Sequence, residues 1–143
     1  MPRPREPPVF FIDHCLGTEI VAERLRREGA EVRVMIDEGF AEDEPDASWL
    51  PIVAARGWAV LTKDKRIRRR AIEHEALIAS KAGAFILVAG GVGGEAVAEA
   101  FARALPTMVR MCHTRARPFI ATVSAAGKVT LLEGGERRGG VKR

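Results

Sequence analysis

The sequence predicts a three-layer α/β domain, in which a mainly parallel sheet carries helices on both faces and ends in a C-terminal hairpin. Short apolar runs alternate with segments of helical periodicity, the pattern of a parallel sheet with its covering helices. Runs such as 9–12 and 84–89 are continuously apolar, as burial on both faces requires. Two further runs, 119–123 and 129–132, alternate around a small-residue turn and indicate an antiparallel hairpin.

The first half of the chain predicts strands at 9–12, 32–36 and 58–62, with two helices between them. Helix one is expected to run from Thr18, a good N-cap residue, to Gly29, which suits the position after a helix end. Pro51 is tolerated only in a first helical turn, so helix two should begin near Ser48. That boundary leaves Asp46 at or just ahead of the helix N-terminus.

The second half predicts a third helix that follows a basic loop and stops at Gly83, then a strand at 84–89. A glycine-rich loop at 90–94 leads into the fourth helix, which has apolar residues at helical spacing. Pro106 is expected to kink or restart that helix. The terminal hairpin completes the fold.

Length and composition predict a single soluble globular domain. The chain has 143 residues, of which 47% are hydrophobic and 29% are charged. No apolar run approaches the roughly 20 residues of a membrane span, and the start lacks the apolar segment of a secretory signal. We therefore expect a cytoplasmic protein with no membrane partner. Its expected parts are a disordered segment 1–8, a domain 9–132 and a disordered, basic, glycine-rich tail 133–143.

The net charge of +4 is modest, but the charges are unevenly distributed. Segment 37–46 holds six acidic residues and no Lys or Arg, whereas segment 63–70 holds six basic residues against Asp64 alone. An acidic pocket beside a basic rim is typical of a metal-dependent enzyme that acts on a polyanion. The alternative is that both segments are solvated surface. The basic run begins at a candidate metal-binding aspartate, which favours the functional interpretation.

Three aspartates stand at the ends of predicted elements. Asp13 closes the first strand, Asp64 closes the third, and Asp46 precedes the second helix. The carboxyl ends of parallel strands meet at the edge of the sheet where ligands bind. Clustered carboxylates are costly unless a hard cation such as Mg²⁺ neutralises them. Each aspartate also has a structural alternative, as a helix cap for Asp13 and Asp46 and as a local salt-bridge partner for Asp64.

These positions carry a resemblance to a known family. The strand ending at Asp13, the segment Pro-Asp-Ala-Ser-Trp-Leu at 45–50 and the segment Leu-Thr-Lys-Asp-Lys-Arg at 61–66 resemble PIN-domain ribonucleases. More narrowly, residues 9–132 resemble the PIN-like proteins related to VapC-type toxins. The resemblance implies that Asp13, Asp46 and Asp64 bind Mg²⁺ or Mn²⁺ and cleave RNA phosphodiester bonds. It also implies a protein antitoxin as partner and a possible homodimer.

Further site residues follow from the same hypothesis. Many PIN nucleases have another acidic residue after the Thr-x-Asp turn, but here the next carboxylate, Glu73, lies about two turns into a helix. Asp37, at the end of strand two, is the best local substitute as a metal ligand. RNA phosphates would be bound electrostatically by four basic side chains. These are Lys63, Lys65, Arg66 and Arg68.

Other functions remain open at this point. The PIN-like fold is also compatible with a non-catalytic RNA-binding or partner-binding module. A phospho-receiver domain shares strand-end aspartates, but the acidic pair expected after strand one is missing, since His14 follows Asp13. The segment 91–96 fits a G-x-G-x-x-A dinucleotide motif, but the next strand does not end in an acidic residue. Zinc held by His14-Cys15 and Cys112-His113 would need ligand spacing that adjacent residues do not provide.

Overall fold

In the computed structural model, a six-stranded sheet lies between two layers of helices. The structure describes residues 7–16, 19–41, 43–63, 75–88 and 92–137. The strands are β1 Val9–Ile12, β2 Glu31–Val34, β3 Ala59–Lys63, β4 Gly83–Leu87, β5 Phe119–Val123 and β6 Val129–Gly134. The helices are α1 Ile20–Arg27, α2 Asp46–Ala55 and α3 Gly94–Thr114, with further helical residues at 75–79. Short 3-10 turns cover His14–Leu16 and Ile36–Glu38.

The strand order is β2-β1-β3-β4-β5-β6, and only the β5–β6 pair is antiparallel. The chain passes from β1 to β2 on one side and then returns to β3 on the other side of β1. The strand order therefore reverses between β1 and β3, and a crevice is expected at their carboxyl ends. The predicted three-layer α/β class and the terminal hairpin are confirmed.

Each face of the sheet buries its own hydrophobic core. One face packs against α1 and α3, and the other packs against α2 and helical residues 75–79. On the second face the fully buried ring of Phe11 contacts three aromatic rings, with centroid distances of 5.2 Å to Trp49, 5.8 Å to Phe40 and 6.1 Å to Trp58. Because Phe11 lies in β1, which has a neighbouring strand on each side, this cluster fixes the position of the residues that follow it.

Several predicted strand boundaries were wrong by one or two residues. β2 ends at Val34, where its pairing with β1 ends, and Ile36 is 62% exposed in a 3-10 turn. β3 begins and ends one residue later than predicted. Gly83 belongs to β4 and does not stop the preceding helix, because the chain turns at Lys81, whose φ is 64°. Apolar residues at strand ends extended the sequence pattern beyond the hydrogen-bonded ladder.

The two proline-based helix predictions were also wrong. α2 begins at Asp46, two residues before Ser48, with Pro51 inside the helix. α3 runs without interruption through Pro106. Both prolines are exposed, so water can reach the backbone carbonyl that each proline leaves without an amide donor. For α1 the first helical residue is Ile20, and the predicted N-cap at position 18 lies outside the described residues.

The folded domain extends beyond the predicted boundary at residue 132. β6 continues to Gly134, which pairs with Phe119. Arg137 then forms an isolated antiparallel β-bridge with Arg115 through the backbone. Glycine at position 134 lets the backbone of β6 pass close to Pro118, since a Cβ there would clash with the Pro118 carbonyl oxygen. The prediction of disorder from residue 133 was therefore wrong for residues 133–137. Segments 1–6 and 138–143 lie outside the described residues.

An ion pair between Arg24 and Glu99 joins α1 to α3. Glu99 of α3 accepts a hydrogen bond from Arg103 at 2.7 Å and another from Arg24 of α1 at 2.8 Å. These bonds, that of Arg103 first and that of Arg24 second, hold the pKa of Glu99 below its usual value. Arg24 also contacts Glu28 within α1 at 3.2 Å. The ionised Glu99 therefore contributes to helix packing.

We predict that Glu99→Gln lowers the melting temperature at neutral pH and has little effect in acid. The depressed pKa of Glu99 gives a stability contribution that is present above its unfolded pKa and is lost as the pH falls through its folded pKa. Thermal unfolding of both proteins from pH 7 to pH 3 checks this. The control Glu28→Gln removes a contact within α1 only. A Glu99→Gln deficit that stays constant with pH would contradict the prediction.

Candidate active site

Asp13 follows β1 directly and is only 6% exposed. Its backbone N–H donates to the Leu61 carbonyl of β3 at 2.9 Å, and its own carbonyl accepts from Leu16 N–H at 3.0 Å. Asp13 thus lies where the β1–β3 ladder ends and the 3-10 turn begins. Within the described ranges it is the only buried side chain that is polar or charged. A carboxylate in such a position requires compensating interactions.

One compensating interaction comes from the neighbouring strand. The hydroxyl of Thr62 in β3 donates to Asp13 Oδ2 at 2.8 Å. Ile12 of β1 pairs with Leu61 of β3, so the residues that follow them, Asp13 and Thr62, lie side by side. Because side chains alternate along a strand, both point to the face that α2 covers. The Sγ atom of Cys15 lies 3.2 Å from Thr62 Oγ1. Strand pairing therefore assembles Asp13, Thr62 and Cys15 at the point where the strand order reverses.

The side chains of the other two predicted aspartates lie outside the described part of the structure. Asp46 is the first residue of α2, which connects the end of β2 to the start of β3 and so begins at the carboxyl edge of the sheet. The side chain of Asp46 lies outside the described part of the structure. Asp64 comes directly after Lys63, the last residue of β3, and is likewise outside it. The described backbone thus brings Asp13 and the first residue of α2 to the edge at which β3 also ends.

Of the remaining predicted residues, only Asp37 and Lys63 fall within the described ranges. Asp37 is exposed in the 3-10 turn after β2, and Lys63 is exposed at the end of β3. Lys65, Arg66 and Arg68 fall in segment 64–74, which the structure does not describe. Among the described side chains, no three His, Cys, Asp or Glu residues are grouped closely enough to hold a metal. The side chains at positions 46 and 64 are not among those described.

Part of the acidic segment has a structural role. Glu44 accepts hydrogen bonds from the Ser48 hydroxyl and, at 3.0 Å, from the Ala41 backbone N–H. These bonds, that of Ser48 first, lower the pKa of Glu44. Glu38 forms an ion pair with Arg56 at 3.4 Å. The segment that leads into α2 is therefore held by its own carboxylates, and not every acidic residue there is available for a metal.

The sequence analysis missed two features of the site. It considered Cys15 only as a zinc ligand and left Thr62 without a role of its own, although strand alternation places Thr62 on the same face as Asp13. It also assigned Ile36 and Val88 to strands, although both are exposed beyond the last residues of β2 and β4. Four of the exposed large apolar side chains border elements at the carboxyl edge, namely Ile20, Ile36, Val88 and Val92.

The zinc hypothesis fails on topology. Cys15 and His14 lie in the turn after β1, at the carboxyl edge of the sheet. α3 starts at the same edge after β4 and ends before β5, so Cys112 and His113 near its C-terminus lie at the opposite, amino edge. The two dipeptides therefore cannot share one metal ion.

Comparison with known proteins identifies the family. A family model described as "PIN like domain" matches residues 8–89, more than half of the chain. The chain belongs to the PIN-like domain family. It is also 30% identical over 126 residues to a Mycobacterium tuberculosis protein named "Putative ribonuclease VapC45". The aligned segment covers 86% of this chain and 91% of that protein. No solved structure matches with comparable significance.

The family assignment resolves an ambiguity that the fold leaves open. Phospho-receiver domains have the same strand order, 2-1-3-4-5, as the parallel part of this sheet. The match from residue 8 to residue 89 runs from the strand before Asp13 to the end of β4 and includes all three aspartates. The predicted resemblance to VapC-type PIN proteins is confirmed.

None of the helices that the structure describes has the length and apolar character that a membrane span needs.

We predict that Thr62→Val destabilises the fold by about 1–3 kcal/mol, because the buried Asp13 carboxylate loses a hydrogen-bond donor while the side-chain volume is kept. Thr62→Ser retains the hydroxyl and serves as the control. Urea unfolding at pH 7 measures both variants. Equal stability of the Val and Ser variants would show that this hydrogen bond contributes nothing measurable.

Proposed function

We propose that this protein is a metal-dependent ribonuclease that hydrolyses RNA phosphodiester bonds and acts as the toxin of a toxin–antitoxin pair. The observation that carries the proposal is the buried Asp13 carboxylate, which Thr62 holds at the strand-order reversal. Membership of the PIN-like family and the name of the similar Mycobacterium tuberculosis protein support the same activity.

The residues at this edge suit Mg²⁺ or Mn²⁺. Asp13, Asp46 and Asp64 offer carboxylate oxygens, the ligands that these hard cations prefer, and Asp37 is a candidate fourth ligand. Thr62 donates to one oxygen of Asp13, which orients the carboxylate. When bound, the cation would lower the pKa of a water molecule and neutralise charge on the scissile phosphate.

The protein's own side chains would perform the remaining tasks. The aspartates would hold the attacking water and the phosphate in line, since placement of reactants is a large part of catalysis. Lys63 would contact a neighbouring phosphate from the exposed end of β3. We assign the same phosphate-binding role to Lys65, Arg66 and Arg68, which continue the chain from that point.

A toxin of this kind requires an inhibitor. We propose that a cognate antitoxin protein binds the chain in the cytoplasm, and that the chain itself forms a homodimer. Support for this assignment comes from the relationship to VapC-type proteins. Coexpression with the protein of a small neighbouring gene, followed by size-exclusion chromatography, tests both associations. A monomer with no bound partner would contradict them.

We predict that Asp13→Asn reduces Mn²⁺-dependent RNA cleavage by more than about 100-fold, beyond the loss typical of residues that only support a metal ligand. Calorimetry should show weakened Mn²⁺ binding, because the neutral amide is a poorer ligand than a carboxylate. Asp64→Asn should behave alike. The control Asp43→Asn makes the same charge change on an exposed loop residue. Undiminished cleavage by both Asp13→Asn and Asp64→Asn would refute the assignment.

The same measurements test the alternative of a non-catalytic binding module. Such a module would bind RNA without cleaving it, and calorimetry would show no Mn²⁺ binding. A catalytic protein should instead bind Mn²⁺ and cleave RNA, and Asp13→Asn should lose both while it retains RNA binding through the basic residues.

We predict that Lys63→Gln weakens RNA binding severalfold and lowers the slope of log affinity against log salt by about 1, since one phosphate contact is lost. Filter binding at several salt concentrations, with Asp13→Asn as background to prevent cleavage, measures the slope. Lys81→Gln is a matched control, because Lys81 is exposed in the turn before β4, at the opposite edge of the sheet. Equal slopes for the two variants would remove Lys63 from the site.

A further inference from the structure

Cys15, Thr62 and Asp13 form a continuous chain of polar contacts. The Cys15 Sγ atom lies 3.2 Å from Thr62 Oγ1, which in turn lies 2.8 Å from Asp13 Oδ2. Cys15 belongs to the 3-10 turn that follows β1, two residues after Asp13, and it is half-buried. The thiol therefore approaches Thr62 from the same turn that carries the carboxylate.

The hydrogen atoms in this chain have a defined direction. A threonine hydroxyl carries one hydrogen and two lone pairs, whereas an ionised carboxylate only accepts. A hydrogen bond to a charged carboxylate is stronger than one to a neutral sulfur, so the Thr62 hydrogen goes to Asp13. The Thr62 oxygen is then left with lone pairs only, and the Cys15 S–H must donate to it.

We infer that Cys15 is a positioning residue for Asp13, acting through Thr62; this role rests on the proposed metal-dependent activity. The Cys15 S–H occupies a lone pair of Thr62 Oγ1 and holds the hydroxyl in the rotation that directs its hydrogen to the carboxylate. Without this donor the hydroxyl is held by its contact with Asp13 alone, so the hydroxyl orients the carboxylate less firmly.

The turn itself is held at both of its ends, which gives the thiol a fixed position. Leu16 N–H donates to the Asp13 carbonyl at 3.0 Å, and His14 N–H donates to the sulfur of Met35 at 3.3 Å. Met35 is buried in the core on the α2 face. A side chain held in this way can restrict its neighbour at a small entropic cost.

The test is a double-mutant cycle in Mn²⁺ affinity, measured by calorimetry on the full chain. Thr62→Val should weaken Mn²⁺ binding about tenfold, and Cys15→Ala about threefold, as expected for residues that support a ligand rather than act as one. The double variant should match Thr62→Val within about twofold, because the thiol then has no hydroxyl to orient. Losses that multiply in the double variant, or a Cys15→Ala affinity equal to wild type, would overturn the inference.

Two further variants separate positioning from simple packing. Cys15→Ser keeps a donor and should restore Mn²⁺ affinity to within about twofold of wild type, whereas a packing role would leave it as weak as Cys15→Ala. Cys112→Ala removes the other thiol, which is buried in α3 away from the site, and should leave Mn²⁺ affinity unchanged. In RNA cleavage, Cys15→Ala should lower kcat and leave KM unaltered, since the basic residues that bind RNA are intact.

Urea unfolding of the four proteins of the cycle (wild type, Thr62→Val, Cys15→Ala and the double variant) distinguishes failure of this inference from failure of the proposed function. If wild type neither binds Mn²⁺ nor cleaves RNA, the proposed function is wrong. Non-additive unfolding of the cycle would then still support the contact of Cys15 with Thr62, and additive unfolding would refute it. If unfolding is non-additive while Mn²⁺ affinities are additive, the contact exists but does not position Asp13, and the inference is wrong.

Discussion

The hydrogen bond from Thr62 to Asp13 joins β3 to the end of β1 at the edge of the candidate site. It forms because the Asp13 N–H continues the pairing of β1 with β3 by one bond beyond the last strand residue. A buried carboxylate without such donors would destabilise the fold. Thr62 therefore serves stability and site geometry together, and the rest of the edge is built around this contact.

The core beneath the site explains why this position is well defined. Phe11, two residues before Asp13, is enclosed by Phe40, Trp49 and Trp58 on one face of the sheet. Its neighbour Phe10 is fully buried on the other face. Because β1 is packed on both sides and paired on both edges, its end has little freedom to move. A carboxylate attached to such a strand is preorganised for binding.

The charges along the edge divide between folding and the proposed chemistry. Glu44 is bound by Ser48 and Ala41 at the entrance to α2, and Glu38 is paired with Arg56. These contacts hold the loop from which Asp46 enters the helix. The acidic segment that looked like one pocket in the sequence thus combines carboxylates that hold the backbone with others that we assign to a metal.

The sequence by itself determined the class of the fold, the order of its strands along the chain and the positions of the three aspartates. Apolar periodicity is a local property and can be recognised without a structure. Boundaries failed at Ile36, at Pro51 and at Gly134, where exposure, solvent access and a close backbone approach depend on neighbours distant in sequence. Only the tertiary structure decided that Thr62 and Cys15 meet Asp13, and that Cys112 lies at the opposite edge. The physical reason is that strand order and register decide which residues meet between strands, and they join segments that are distant in sequence.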